Sequence, residues 1–217
     1  MEIIDLSHLM ENGMPAYPGE ESPVFGFKNT HKESGYQVIR FTSLTHSGTH
    51  LDTPAHFFSG GLTIDKMPVN HFAGKGVVID CSSFGQKAVI PALHLQSFNN
   101  ELLTAEFALI YTGWDKFWKT DQYYVDFPVL SVDAAIFLSG FNLKGIGVDV
   151  PSIDPVASPD YPNHNLILGK GLIIIENLTK LHHLSDRNFY FSALPLKIKN
   201  GDGCPVRAVG ITDIPGF

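Results

Sequence analysis

The sequence predicts an α/β protein built on a mixed sheet, and three features carry that expectation. Residues 76–80, 107–111, 144–148 and 172–175 are short, nearly continuous apolar runs, the pattern of strands buried on both faces. Residues 131–138 open on a capping-type Ser131 and repeat apolar side chains at a helical period. Residues 188–196 and 206–211 are strand-like and follow one another late in the chain, which argues against a purely parallel sheet.

The elements follow in order. Residues 2–6 read as a short strand. The turns Asn12-Gly13-Met14-Pro15 and Pro18-Gly19 make residues 10–23 a loop, one that either covers a site or simply crosses the surface. Residues 36–45, rich in Val, Ile, Phe, Tyr and Thr, read as a strand that delivers His46 to its end. Residues 160–168 are a second helix candidate, with Ile167 and Leu168 inward, His164 facing elsewhere, and Gly169 and Gly171 as stops. Asn200-Gly201-Asp202-Gly203 reads as the turn joining the last two strands. There is no internal repeat.

With 217 residues, 44% of them hydrophobic, the chain can bury a full core and is expected to form one domain, 1–217. A net charge of −7 without a Lys/Arg run argues against a nucleic-acid surface or anchoring on anionic lipid, and leaves a small molecule as the expected partner. Met1-Glu2-Ile3-Ile4-Asp5 lacks the basic start of a signal peptide, and no apolar run approaches the roughly 20 residues of a spanning helix, so a cytoplasmic location is expected. Cys81 and Cys204 stand far apart and outside any C-x2-C pattern, and are expected to be buried thiols.

Chemistry concentrates in residues 46–57. His46, His50, Asp52 and His56 follow the spacing H-x3-H-x-D-x3-H, a nitrogen and carboxylate donor set that suits Zn²⁺ or Mn²⁺. Gly48 and Pro54 oppose a continuous helix, so the stretch reads as a strand end turning into a loop. If extended, His50 and Asp52 project to one side, and a turn at Ser47-Gly48 brings His46 back toward them. A lone histidine is usually a surface or hydrogen-bonded core residue. Four such groups in eleven positions point to a metal site. Glu176 emerges at the end of an apolar run and is either a functional carboxylate or a solvated strand-end acid.

The motif His46-x-Gly-Thr-His50-x-Asp52-x-Pro54-x-His56-Phe57 resembles the signature of the cyclase family of metal-dependent hydrolases, which includes bacterial kynurenine formamidases and isatin hydrolases. Asp5-Leu6-Ser7, Tyr17-Pro18-Gly19, Gly147-x-Asp149-x-Pro151-Ser152-x-Asp154, Glu176-Asn177-Leu178, Pro195-Leu196-Lys197 and Gly203-x-Pro205-x-Arg207 agree in order. The resemblance implies the swivelling β/β/α architecture. It also implies a two-ion site: His46, His50 and Asp52 on one metal, Asp52, His164 and Glu176 on the other, with Asp52 and Glu176 shared. His164 precedes Glu176 by the twelve residues found in that family. Zn²⁺ is the first choice of metal and Mn²⁺ the second.

His56 is left over, and the resemblance, like the chemistry of amide hydrolysis, assigns it delivery of a proton to the leaving nitrogen. A further metal ligand, or a partner orienting one, is the other reading. Tyr17 stands where the formamidases carry Trp in a Trp-Pro-Gly-Asp motif, and is expected to touch substrate. The implied activity is hydrolysis of an aryl formamide such as N-formylkynurenine by metal-activated water. A cyclic amide hydrolase of the isatin type and a non-catalytic metal-binding module are the alternatives. A homodimer or homotetramer is the implied assembly. His31, His71, His94, His182 and His183 lie outside the matched motifs, and Arg207 is expected to pair with an internal acid.

Overall fold

Each of the four apolar runs is a central strand, and period-two alternation sends its side chains to two separate cores. In the computed structural model, which describes residues 1–214, Ala108, Ile110, Ile146, Val148 and Ile174 enter one core. Phe107, Leu109, Ile173 and Ile175 enter the other. The last three residues of the expected 1–217 domain lie outside the described residues. The strands are β1 (Glu2–Asp5), β2 (Val24–Asn29), β3 (Val38–Thr42), β4 (His50–Asp52), β5 (Ala73–Asp80), β6 (Val89–Ile90), β7 (Phe107–Tyr111), β8 (Val129–Leu130), β9 (Gly145–Val148), β10 (Ile173–Glu176), β11 (Phe189–Ser192), β12 (Gly203–Pro205) and β13 (Val209–Thr212).

Nine of these form one mixed sheet in the order β1-β13-β11-β5-β7-β9-β10-β4-β12. The segment β5-β7-β9-β10 is parallel, and the strands flanking it on both sides are antiparallel. Burying an Ile or Leu of this centre stabilises the fold by about 1.5–3 kcal/mol, so the parallel strands anchor everything attached to them. On one face lies the helix Val132–Leu138, whose Ser131 accepts a capping hydrogen bond from the Ala134 amide as its sequence predicts. The helix Pro162–Gly169 lies beside it, with Ile167 and Leu168 in the same core. No helix among the described residues is long and apolar enough to cross a membrane.

Two sequence expectations are corrected. Residues 36–45 do not deliver His46 on a core strand: β3 pairs only with β2, in a two-stranded hairpin outside the main sheet, and every residue of β3 is exposed. Its β-branched and aromatic composition favours an extended backbone whether or not a core covers it. Phe27, Ile39 and Phe41 of this hairpin are 66%, 50% and 55% exposed. The second correction concerns 200–203, which is no hairpin turn between the last two strands. It leads into β12, which pairs with β4, while β11 and β13 pair with each other.

Candidate metal centre and active site

The register of three strands assembles the centre. His50 lies opposite Glu176 and Asp52 opposite Ile174 across β4 and β10, while Gly203 of β12 lies opposite Asp52 on the other side. Directly opposed residues of an antiparallel pair share a face, so His50, Asp52 and Glu176 converge on the helix-covered side. The three are buried. His50 Nε2 lies 3.4 Å from Asp52 Oδ1 and 3.5 Å from Glu176 Oε2.

The remaining oxygens of the same carboxylates face a second imidazole. His164, on the helix Pro162–Gly169, places Nε2 3.4 Å from Glu176 Oε1 and 3.8 Å from Asp52 Oδ2. Asp52 and Glu176 therefore each offer one oxygen to the His50 side and one to the His164 side, the disposition needed to bridge two cations that would otherwise repel. His46 returns to this cluster through a turn at Gly48, whose φ is +63°. A Cβ there would lie 2.9 Å from Met14 Cε, a flexible chain end that can yield, so it is the left-handed backbone that favours glycine. His46 Nδ1 reaches Asp52 Oδ1 at 2.6 Å.

Each imidazole is held from outside by an oxygen acceptor. His50 Nδ1 donates to the Gly48 carbonyl at 2.8 Å, His164 Nδ1 to Asp154 Oδ2 at 2.8 Å, and His46 Nε2 to Asp202 Oδ2 at 2.9 Å. The other nitrogen of His50 and of His164 faces both Asp52 and Glu176, and that of His46 faces Asp52. This is how protein frameworks fix the tautomer and direction of metal-binding histidines. Asn177 supports the Gly48 carbonyl with a 2.9 Å hydrogen bond, and its own Oδ1 accepts from the buried Tyr123 hydroxyl. Asp154 also accepts from the amides of Asn163 and His164, capping the helix that carries His164.

Charge follows geometry. Burial pulls the His46 pKa down, but Asp52 and Asp202 outweigh it and hold the imidazole up at about 10. Burial likewise opposes protonation of His164, and Asp154 and Glu176 overcome it to reach about 10. Without an ion, protons thus neutralise the carboxylate cluster. A divalent ion can replace them. His50, Asp52 and Glu176 bring one donor atom each within 4.8 Å of one another, and so do His46, Asp52 and His56, which is the spacing of a cation cage.

His56 follows β4 in the short 3-10 turn Pro54–His56. Its ring stacks on His46 with centroids 3.8 Å apart, and Nδ1 is 3.5 Å from Asp202 Oδ2. Burial lowers its pKa, so the ring is neutral more readily than a free imidazole. Tyr17 sits on the loop 10–23, and of the two readings of that loop its position fits the one in which it covers a site. It lines the same cavity of about 560 Å³ as the histidines, together with Phe57, Tyr124 and Tyr161. Tyr161 adopts a left-handed backbone, φ 43° and ψ 57°, a conformation that costs a bulky residue about 1–3 kcal/mol and sets its ring edge-on to Phe57.

All seven sequence-selected residues, Tyr17, His46, His50, Asp52, His56, His164 and Glu176, therefore meet in one cavity. His31, His71, His94, His182 and His183 do not line it. Arg207 pairs with Asp5 through two hydrogen bonds of 2.8 and 2.7 Å on the surface, and both cysteines are free and buried. Sequence reasoning missed Asp202, because Asp in an Asn-Gly-Asp-Gly run reads as a turn former. It missed Tyr124 and Tyr161 because no motif marks them.

A histidine and carboxylate centre at the antiparallel edge of this sheet defines the class. The family model described as "Putative cyclase" matches residues 4–155, and the chain belongs to the cyclase family. Among its relatives, a kynurenine formamidase of Bacillus cereus is 32% identical over 212 residues, covering 96% of both chains. One of Bacillus anthracis is 31% identical over 210 residues, covering 95% of both. Among solved structures, isatin hydrolase A from Labrenzia aggregata superposes with a TM-score of 0.87 at 26% identity, over 98% of this chain and 94% of that one. A protein described as a predicted metal-dependent hydrolase from Bacillus stearothermophilus gives 0.78 at 25% identity, over 96% and 97%.

Proposed function

We propose that this protein is a metal-dependent hydrolase of the arylformamidase type, cleaving N-formylkynurenine or a related aryl formamide to the free amine and formate. The carrying observation is the set of three imidazoles, each held at one nitrogen from outside and aimed by the other at the Asp52 and Glu176 cluster, His46 at Asp52 alone, in a cavity walled by aromatic rings. Kinship with kynurenine formamidases over nearly the whole chain supports the formamide as the bond cleaved.

His46, His50 and Asp52 would hold one ion, Asp52, His164 and Glu176 the second, with Glu176 completing the first. The donor set suits Zn²⁺ first and Mn²⁺ second. Bound there, the cations would supply Lewis acidity, lowering the pKa of water toward about 7 and stabilising charge on the amide oxygen. His56, on the rim of the cluster, accepts the proton of the attacking water as the C–O bond forms. It returns that proton to the amine nitrogen as the C–N bond breaks. Tyr17, Tyr124 and Phe57 pack the aryl group. The likeness to isatin hydrolase keeps a second reading, opening of a cyclic aryl amide by the same groups.

Assembly as a homodimer or homotetramer completes the reading, with the β2–β3 hairpin as the contact. An isolated two-stranded hairpin is marginal in water, and this one exposes large apolar side chains. It carries Lys28, Lys32 and Arg40 against Glu33 alone, in a chain of net charge −7, so a second copy offers the complementary surface.

The test is metal analysis of purified protein with turnover of N-formylkynurenine, formanilide and isatin before and after chelation. Metal-dependent release of formate is expected. Metal-loaded protein that hydrolyses no formamide, or metal-free protein with undiminished turnover, overturns the assignment.

A further inference from the structure

We infer that the cavity beside the metal-binding side chains contains a subsite for an ammonium group carried by the substrate, formed by Glu20 with Tyr17, Tyr124 and Tyr161. The inference rests on the formamidase reading and names the part of the substrate that this site selects.

All four residues line the cavity that holds the histidine and carboxylate cluster. Tyr17 and Tyr124 meet edge-on, centroids 6.1 Å apart at 84°, and Tyr161 stands edge-on to Phe57 at 5.6 Å. Among the described residues, neither the three phenol hydroxyls nor the Glu20 carboxylate has a hydrogen-bond partner, although the Glu20 amide is fixed by the Tyr17 carbonyl at 2.9 Å. The cavity thus presents four uncommitted polar groups, held on a tight turn, a tyrosine pair and a helix start.

Their chemistry is one-sided. Aromatic faces attract cations, a carboxylate does so more strongly, and phenol oxygens accept hydrogen bonds from N–H. Among the described residues no lysine or arginine lines the cavity. Asp52 and Glu176 are committed to the metal cluster, which leaves Glu20 as the acid free to meet a substrate charge. Beside Glu20 and the tyrosines a substrate carboxylate would find no lysine or arginine, whereas an ammonium finds a carboxylate and aromatic rings. For an amino-acid formamide such as N-formylkynurenine, the α-ammonium is the group recognised, and the α-carboxylate contributes little.

The experiment uses the metal-loaded full chain and three probes: N-formylkynurenine, its decarboxylated amine analogue and its deaminated acid analogue. Formanilide serves as the neutral reference. Relative to formanilide, kcat/KM for the decarboxylated probe is expected within about threefold of that for N-formylkynurenine, and the deaminated probe at least about tenfold lower. In Glu20→Gln the ratio for both ammonium-bearing probes falls about tenfold, mainly through KM. In Glu20→Lys the preference shifts toward the deaminated acid. Calorimetric binding of the corresponding amine products, kynurenine and its two analogues, reads the same selectivity without turnover. Equal handling of deaminated and ammonium-bearing probes, or ratios unmoved by both Glu20 changes, overturns the subsite. Glu20-dependent binding of ammonium ligands in a protein that hydrolyses no formamide upholds the subsite and removes the formamidase reading instead.

Discussion

Asp202 Oδ2 accepts a 2.9 Å hydrogen bond from His46 Nε2 across 156 positions of sequence, while its main-chain carbonyl accepts from both the amide and the hydroxyl of Thr53. A Cβ at Gly203 would strike the His46 ring, so glycine is what lets this backbone come close. Asp202 is therefore tied to both ends of the stretch 46–53 that carries His46, His50 and Asp52. Asp202→Ala is expected to weaken metal affinity by about 10–100-fold, as loss of groups orienting ligands does. Asp202→Asn, which keeps an acceptor, should recover most of it. Competitive chelator titration measures both, and unchanged affinity in the alanine variant would show that His46 needs no such support.

Metal binding should release protons. In the metal-free protein His46 and His164 have pKa values raised to about 10, so both are imidazolium at neutral pH, and a cation can take their nitrogens only by displacing protons. The sign follows: apparent affinity rises with pH through neutrality and levels off as pH passes about 10. Calorimetry in two buffers of different ionisation enthalpy counts the protons. Affinity independent of pH between about pH 6 and 8, with no proton release, argues that neither histidine is a ligand.

His56 lies on the rim of the cluster, stacked on His46, and its role separates by two measurements on one variant. His56→Ala is expected to retain its metal while kcat falls by about 10²–10⁴-fold, the usual contribution of a group that moves a proton. If metal is lost together with activity, the triple of His46, Asp52 and His56 holds an ion and the proton passes elsewhere.

The hairpin makes a separate prediction. Placing a charge at the exposed apolar positions Phe27 and Ile39, as in the double variant Phe27→Glu and Ile39→Glu, should convert the proposed homo-oligomer to monomers without unfolding the main sheet. Sedimentation with circular dichroism reads both. A wild-type chain that is monomeric at micromolar concentration, or a variant with unaltered mass, removes the hairpin as the contact.

The clustering of histidines with Asp52 was legible in the sequence because the residues are local: His50 and Asp52 share a strand face by period two, and Gly48 bends the chain so that His46 rejoins them. Apolar runs disclosed the four central strands for a related reason, since burial on both faces requires nearly every residue to be apolar. The hairpin shows where composition fails, because β-branched and aromatic residues favour extension equally in a core strand and in an exposed arm. Only the tertiary structure decided that β4 lies between β10 and β12. That single placement sets Glu176 against His50, brings Asp202 to His46, and turns an apparent hairpin turn into part of the site. Strand order depends on which long-range pairings bury the most apolar surface, a property of the whole chain that local spacing does not carry.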